Sequence, residues 1–164
     1  APSSNHQRKW ELVALTEKSI ILELAQLIRP YPCRIQEPKT PQQEMFKIAY
    51  PRQRSMIEES ACVILPYFKQ KYTFDNDKNG YGLMDYGAAW ALVENMLLAA
   101  TAEGLGSVVH IPVKKEPEKI KAFMKIPDGY YLPALVILGV PAKDALLPSQ
   151  VKATVENKVH WNKW

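Results

Sequence analysis

The pattern of hydrophobic and polar residues predicts a chain in which strands and helices alternate. Short apolar runs are typical of buried strands, and apolar residues repeating every three or four positions are typical of amphipathic helices. Predicted strands occupy residues 10–15, 61–68, 107–111 and 131–138. Predicted helices occupy residues 43–50, 84–104 and 116–124, another is capped by Thr16 and ended by Pro30, and a further one opens at Pro51. Pro66 predicts an interruption of strand pairing near the end of its strand.

The helix predicted over residues 84–104 is the strongest single element. Mostly small residues recur along one of its faces, namely Ala88, Leu92, Asn95, Ala99 and Ala102. Such a face allows another element to pack close to the backbone. Asp85 is expected in the first turn, where the helix dipole favours an anion. Glu94 and Glu103 interrupt the apolar stretch, which argues against a membrane span.

Long, irregular loops between the elements favour a single α+β domain over residues 1–164 rather than a doubly wound fold. The 164 residues are 47% hydrophobic and 23% charged, which is typical of a globular protein. Residues 140–164 show little periodicity and predict an extended tail. Trp161 and Trp164 on that tail need a surface to bury against, which a partner subunit would provide.

The net charge of +4 is mild and the lysines are scattered, so nucleic acid is not an expected partner. A modest positive field suits an anionic ligand such as a phosphate. Cys33 and Cys62 form no CxxC pair and are interpreted as free thiols in a reducing compartment, which indicates a cytoplasmic protein.

The familiar catalytic and metal-binding motifs are missing from the sequence. No GxGxxG follows a strand, no phosphate-binding P-loop occurs, and the three histidines lack metal-ligand spacing. Residues 75–80 imitate the front of a calcium loop, but Tyr86 stands where a bidentate Glu is required, so an ordinary turn is expected. The side chains therefore offer no acid-base or nucleophile set, and a cofactor is expected to carry any chemistry.

Three segments together resemble the nitroreductase-like family of FMN-dependent oxidoreductases. The first is APSSNHQRKW followed by ELVAL at residues 1–15, and the second is D-x-G-x-A at 85–89 followed by N-x-x-L-A-A-x-x-x-G-L-G-S at 95–107. The third is VHWNKW at 159–164, about twenty residues beyond the strand ending in LGVP. Each motif is weak alone, but their order and spacing extend the resemblance over essentially the whole chain.

The resemblance implies a central, mostly antiparallel sheet flanked by helices and an intertwined homodimer with an extended C-terminal tail. It implies two FMN molecules at the dimer interface. NAD(P)H would donate a hydride to the flavin, and electrons would pass to a nitroaromatic, quinone or similar small-molecule acceptor in alternating steps. Two alternatives stay open: a non-catalytic flavin-binding or flavin-carrying protein on the same fold, and a dimeric α+β domain without a cofactor.

The family's Pro-Ser-Ser stretch, which lies over the flavin bound mainly by the other subunit, matches Pro2, Ser3 and Ser4. The following pattern departs from the family, because His6 holds the slot of an Asn and Asn5 comes one residue early. Arg8-Lys9-Trp10 stands for the family's Gln-Pro-Trp. The resemblance thus implies polar contact with the flavin edge from this segment. The contacts it implies are Pro2, Ser3, Ser4, Asn5, His6 and Arg8.

Val109, His110 and Ile111 match the backbone that passes along the isoalloxazine ring, where N–H groups can bond the flavin N5. Pro112 has no N–H and cannot donate. The His110 side chain is interpreted as a packing residue in preference to a catalytic proton donor.

Lys152 matches the basic residue that reaches the FMN phosphate. Arg52 and Arg54 are either flavin contacts or solvated surface charges. The family also begins with an Arg-rich phosphate-binding helix, so residues before Ala1 are expected in the full protein.

Overall fold

The computed structural model is an α+β arrangement in which one sheet carries helices on both faces. It describes residues 1–72, 78, 80–145 and 151–164. The strands are β1 (Trp10–Leu15), β2 (Cys62–Lys69), β3 (Gly106–His110), β4 (Tyr130–Tyr131) and β5 (Leu135–Gly139). The helices are α1 (Lys18–Gln26), α2 (Pro41–Ala49), α3 (Gln53–Glu59), α4 (Tyr81–Ala102) and α5 (Glu116–Phe123). Short 3-10 turns lie at Ser4–His6 and Val155–Asn157.

All strand pairs in the sheet are antiparallel. The order is β1-β2-β5-β3, and β4 pairs with the far end of β2. The predicted α+β class with a mostly antiparallel sheet is therefore confirmed. Because alternate strands run in opposite directions, β1 begins at the same end of the sheet at which β3 ends.

Pro66 divides the pairing of β2. On one side, the ladder with β1 continues through Pro66, which lies opposite Leu12. On the other side, the ladder with β5 stops at Ile64 and resumes with β4 at Phe68. Proline supplies no N–H for a ladder bond, so the predicted interruption is confirmed. The single strand predicted over residues 131–138 is wrong, since this gap separates β4 from β5.

The main core lies on the face of the sheet covered by α1, α3 and α5. Its most deeply buried side chains come from both layers: Ile21, Leu24, Ile57, Val63, Leu65, Ile120 and Leu135. Full burial of each such aliphatic side chain contributes about 1.5–3 kcal/mol relative to exposure. This layer holds the ends of the sheet strands in fixed positions.

Helix α4 covers the opposite face and is apolar on both of its sides. Its sheet-facing residues are Gly82, Ala89, Val93 and Ala100. Its exposed residues are mostly apolar or small, namely Leu83, Met84, Gly87, Leu98, Ala99 and Ala102, with the polar Glu94, Asn95 and Thr101 among them. The small-residue face predicted from the sequence thus points largely away from the chain's own sheet. A helix that is apolar all round is normally buried all round.

Several predicted helix boundaries are corrected by the structure. Thr16 does not cap α1, which begins at Lys18 after Glu17 without a side-chain cap. Helix α2 begins earlier than predicted because Pro41 occupies its first position and the Thr40 hydroxyl accepts from the Gln43 N–H at 3.3 Å. Asp85 lies beyond the first turn of α4, which starts at Tyr81.

The C-terminal segment, residues 151–164, is exposed throughout. Trp161 is 84% exposed and Trp164 is fully exposed, so the predicted need for a covering surface is not met within the described part of the chain. None of the described helices is long and apolar enough to cross a membrane. Most of the calcium-like sequence at residues 75–80 lies outside the described residues.

Candidate functional site

The two segments predicted to contact a flavin lie at the same end of the sheet but on its two outer strands. Trp10 opens β1 and His110 closes β3. The strand order places three inter-strand spacings between β1 and β3. At about 4.8 Å each, these spacings separate the strands by about 14 Å. In one chain, the two segments therefore lie on strands that are separated by β2 and β5.

The N-terminal segment is a tight turn held by Ser3. The Ser3 hydroxyl accepts from the Arg8 N–H at 3.2 Å, and the Ser3 carbonyl accepts from the His6 N–H at 3.1 Å. Asn5, His6 and Arg8 all adopt left-handed backbone angles, with φ of 50°, 55° and 48°. Left-handed geometry is uncommon for residues other than glycine and is over-represented at functional sites.

This turn packs against the start of α4 and closes a narrow cleft. An ion pair joins Lys9 to Asp85 at 3.6 Å, and the Lys9 carbonyl accepts from the Lys69 N–H at 2.7 Å. The cleft has an apolar floor and a polar rim. Its lining residues are Ser3, Gln7, Lys9, Trp10, Phe68, Lys69, Asp85, Ala88 and Ala89.

A wider groove opens from the same turn, with a volume of about 650 Å³. We call it the lysine groove. Its lining residues are Asn5, Gln7, Lys9, Lys69, Gln70, Lys71, Tyr72, Tyr81 and Asp85. Pockets of this size accommodate small molecules.

The other predicted segment ends in a buried polar cluster formed by Tyr31, Gln53, His110 and Glu116. Val109 and His110 point to opposite faces of the sheet because side chains alternate along a strand. The His110 ring is 1% exposed, with Nδ1 2.7 Å from Gln53 Oε1 and Nε2 3.2 Å from Glu116 Oε2. The His110 side chain is thus a buried internal contact, which agrees with its interpretation as a packing residue.

Glu116 is the acceptor at the centre of the buried polar cluster. Its carboxylate accepts from the Tyr31 hydroxyl at 2.9 and 3.0 Å, from the Arg29 N–H at 3.0 Å and from the Val113 N–H at 2.9 Å. Burial alone would raise the pKa of Glu116, but these donors favour the charged form and hold the pKa below its ordinary value.

The Glu116 carboxylate also affects the pKa values of the side chains that contact it. Burial and the hydrogen bond to Glu116 raise the pKa of Tyr31 to about 12, so its hydroxyl stays a donor. Burial lowers the pKa of His110, and the Glu116 charge opposes that shift. The Gln53 amide is oriented by its Nε2 donation to the Ala49 carbonyl at 3.1 Å, which directs Oε1 towards His110.

The buried polar cluster decides which backbone donors remain at the end of β3. The Val113 N–H is bonded to Glu116, and Pro112 has no N–H. Ile111 is 49% exposed, and its N–H donates to none of the described residues. Among residues 111–113, Ile111 alone therefore presents a backbone donor to a ligand.

The predicted basic contacts are not drawn together by the structure. Lys152 is exposed and forms no hydrogen bond or ion pair with described residues. Arg52 pairs with Glu59 at 2.7 Å. Arg54 donates to the Ile28 carbonyl at 3.1 Å and so ties α3 to the end of α1. This hydrogen bond gives Arg54 an internal structural role that the sequence pattern did not predict.

Sequence reasoning missed the buried polar cluster and the lysine groove. Glu116 follows His110 by six residues and lies 85 positions from Tyr31, so no motif connects them. Lys71, Tyr72 and Tyr81 belong to no sequence motif, so no local pattern predicts that they line one groove. Across the described residues, no group of three or more His, Cys, Asp or Glu side chains is placed to hold a metal ion.

Comparison with known proteins shows a family match over most of the chain. The model of the Nitroreductase family matches residues 1–140. A curated NADH dehydrogenase of Thermus thermophilus is 36% identical over 75 residues. That match covers 46% of this chain and 35% of the relative, so the chain spans about a third of the relative's length.

Solved structures share the fold at low identity. An FMN-dependent nitroreductase of Clostridium difficile is 18% identical, with a TM-score of 0.68 over 100% of this chain and 81% of the other. A nitroreductase family protein of Clostridium novyi is 23% identical, with a TM-score of 0.64 over 87% and 67%. An iodotyrosine deiodinase bound to FMN and 3-iodo-L-tyrosine is 15% identical, with a TM-score of 0.72 over 100% and 82%.

The buried carboxylate yields a prediction for stability. The substitution Glu116→Gln is expected to lower the free energy of unfolding by about 3 kcal/mol near pH 7, because it breaks a buried, fully bonded charge cluster. Since the folded-state pKa of Glu116 is depressed, its contribution is fully present above the unfolded pKa of about 4.3 and is lost as pH falls through the folded pKa. Urea unfolding at several pH values measures the difference.

The matched control is Glu118→Gln, which removes an exposed carboxylate from the same turn of α5. It is expected to cost less than about 1 kcal/mol, the usual scale of a charge at a helix N-terminus. A Glu116→Gln effect as small as the control, or one that persists unchanged in acid, would contradict the assigned role of the carboxylate.

Proposed function

Because this chain belongs to the nitroreductase family, we propose that it is an FMN-dependent oxidoreductase. It passes electrons from NAD(P)H to a nitroaromatic, quinone or similar small-molecule acceptor, in alternating hydride-transfer steps. The family match over residues 1–140 supports the oxidoreductase class. The names of the similar proteins, an NADH dehydrogenase and an FMN-dependent nitroreductase, support the choice of donor and cofactor.

The observation that carries this proposal is the free backbone donor at the end of β3. Bound FMN would supply the hydride chemistry, and the chain would position it. In the family the backbone of this segment passes along the flavin ring, and here only the Ile111 N–H among residues 111–113 is available to bond N5. The Ile111 side chain, 49% exposed, would add an apolar surface beside the ring.

The remaining contacts are proposed from the matched positions. The N-terminal turn would contribute Pro2, Ser3, Ser4, Asn5, His6 and Arg8, the end of β3 would contribute Val109, His110 and Ile111, and Lys152 would reach the phosphate. The Ser3 hydroxyl is bonded to the Arg8 N–H, so Ser3 supports the shape of the turn. For His110 the contact would come from the backbone, since its ring is buried inside the chain and is not open to a ligand.

A homodimer would complete this site. The strands that carry the two contact segments are about 14 Å apart in one chain. The family resemblance implies that each flavin is touched by both subunits, so we propose that the second segment comes from a partner. The outer side of α4 supports this assembly, because Leu83, Met84 and Leu98 are 63%, 46% and 59% exposed there. Large exposed apolar surfaces of this kind mark interaction sites. The exposed tail with Trp161 and Trp164 would pack on the partner.

We also propose a cytoplasmic location. Cys33 and Cys62 are both free thiols, as expected for a protein in a reducing compartment. Cys33 lies between α1 and α2 and Cys62 opens β2, and the two thiols are not paired with each other.

The proposed activity predicts a yellow protein with a reducible flavin. After loading with FMN and removal of excess, the absorption bands of oxidised flavin should persist and should bleach when NADH or NADPH is added without oxygen. A nitroaromatic or quinone should then restore the bands. Bands that persist with both nicotinamides would favour the alternative of a flavin carrier, and a colourless protein would count against FMN binding by residues 1–164.

The assigned backbone donor can be removed by proline. The substitution Ile111→Pro deletes the N–H, and we expect FMN affinity to fall roughly three- to tenfold, the equivalent of one hydrogen bond. Equilibrium dialysis against FMN measures the change. Ile111→Val keeps the N–H and is the matched control. Equal FMN affinity in the two folded variants would contradict the assignment of the Ile111 N–H.

The proposed dimer interface predicts an effect of charge on the outer side of α4. Leu98→Glu would bury a carboxylate against apolar residues, and we expect a shift from twice the chain mass of 18.7 kDa to the chain mass itself, with loss of FMN. Light scattering coupled to size-exclusion chromatography measures the mass. Leu22→Glu, at a 41% exposed position of α1, is the control and should remain dimeric.

A further inference from the structure

The lysine groove carries an uneven charge. Three ammonium groups, from Lys9, Lys69 and Lys71, line it with one carboxylate, from Asp85. Asp85 is paired with Lys9 at 3.6 Å, and in the described part of the chain no carboxylate lies within salt-bridge distance of the Lys71 ammonium. Among the described residues that line the groove, positive charge is therefore in surplus, and Lys71 is the cation that is best placed to meet an anion.

An aromatic wall stands beside this charge. The rings of Tyr72 and Tyr81 lie 6.1 Å apart between centroids and are inclined by 33°. They are 38% and 47% exposed, and the Lys71 ammonium lies 5.3 Å from the centre of the Tyr72 ring. Exposed aromatic faces at this separation can take an aromatic ligand against them.

The buried side-chain amide of Gln70 joins the end of β2 to the start of α4, which carries one ring of the aromatic wall. Gln70 is 9% exposed, and its Nε2 donates to the Gly82 carbonyl at the start of α4 at 3.2 Å. This bond fixes Gln70, which lies between Lys69 at the end of β2 and Lys71 just beyond the strand, against the helix that carries Tyr81. The lysines and the aromatic wall are therefore held in one arrangement.

The groove also adjoins the proposed flavin contacts. Gln7 and Lys9 line both the lysine groove and the narrow cleft beside Ser3, and Asn5 of the N-terminal turn lines the groove itself. If that turn lies over a flavin, a molecule in the groove lies beside the same flavin.

We propose that the lysine groove is the acceptor site and that it selects aromatic acceptors carrying an anionic group, such as a carboxylate. The ring stacks on Tyr72 and Tyr81, and the anion meets Lys71. Reduction of a nitro acceptor to the nitroso compound transfers two electrons from one NAD(P)H, consumes one proton and releases NAD(P)⁺ and water. This inference rests on the proposed function and names its substrate class.

The test compares two ligands of nearly equal shape, 4-nitrobenzoate and 4-nitrobenzamide, by equilibrium dialysis against the FMN-loaded protein. At low salt we expect the carboxylate to bind roughly three- to fivefold more tightly, the scale of an exposed ion pair. The preference should shrink in high salt, because screening shortens the reach of exposed charges. Equal binding of the two ligands, or binding of neither, would overturn the proposal.

Substitutions of single lysines identify the charge that is responsible for the preference for the carboxylate ligand. Lys71→Gln should abolish the preference for the carboxylate, and Lys71→Arg should keep it. Lys119→Gln makes the same charge change at an exposed position of α5 and should leave the preference unchanged. A preference that survives Lys71→Gln would overturn the assignment to the groove.

Two further readouts separate the possible failures. The FMN dissociation constant should be the same in Lys71→Gln and wild type; a weaker FMN complex would show that these lysines hold the cofactor phosphate, which overturns the acceptor assignment. NAD(P)H oxidation with the two nitro compounds is measured in parallel. Selective binding of the carboxylate without reduction of either nitro compound would contradict the proposed function alone. Reduction of both compounds without selectivity would contradict only the inference about the groove.

Discussion

The buried carboxylate of Glu116 is the interaction on which the ligand-facing end of the sheet depends. Its bonds reach the segment after α1 through Arg29 and Tyr31, the end of β3 through His110, and the turn into α5 through Val113. A buried carboxylate without donors would be costly, so these segments are stable only in the arrangement that supplies all of them. The same carboxylate engages the Val113 N–H, so that among residues 111–113 only the Ile111 N–H is left without an acceptor in the described part of the chain.

Helix α4 links the fold of one chain to the proposed assembly. Its inner side, with Ala89 and Val93, covers the sheet, while its outer side exposes Leu98 and small residues. An element that is apolar on both sides is stabilised by two partners, of which one chain supplies only the first. The proposed flavin site fits the same assembly, because its two contact segments lie on different strands, β1 and β3, and a partner would bring the second segment to each flavin.

The lysines that line the lysine groove are brought together only by the tertiary structure. Along the sequence the lysines are scattered and the net charge of +4 is unremarkable for a globular protein. The turn before β1 and the end of β2 are adjacent because these strands pair, and this pairing collects Lys9, Lys69 and Lys71 around one groove. The proposed selection of anionic acceptors follows from that collection.

The sequence by itself determined the elements whose signals are local. The strand at residues 10–15, the hydrophobic run around β2, the long helix and the break at Pro66 all follow from patterns within a few residues, as does the resemblance to nitroreductases. Only the tertiary structure decided which side of α4 meets the sheet and that His110 is buried beside Gln53 and Glu116. These outcomes depend on contacts between residues far apart in the chain, which propensity and periodicity do not encode.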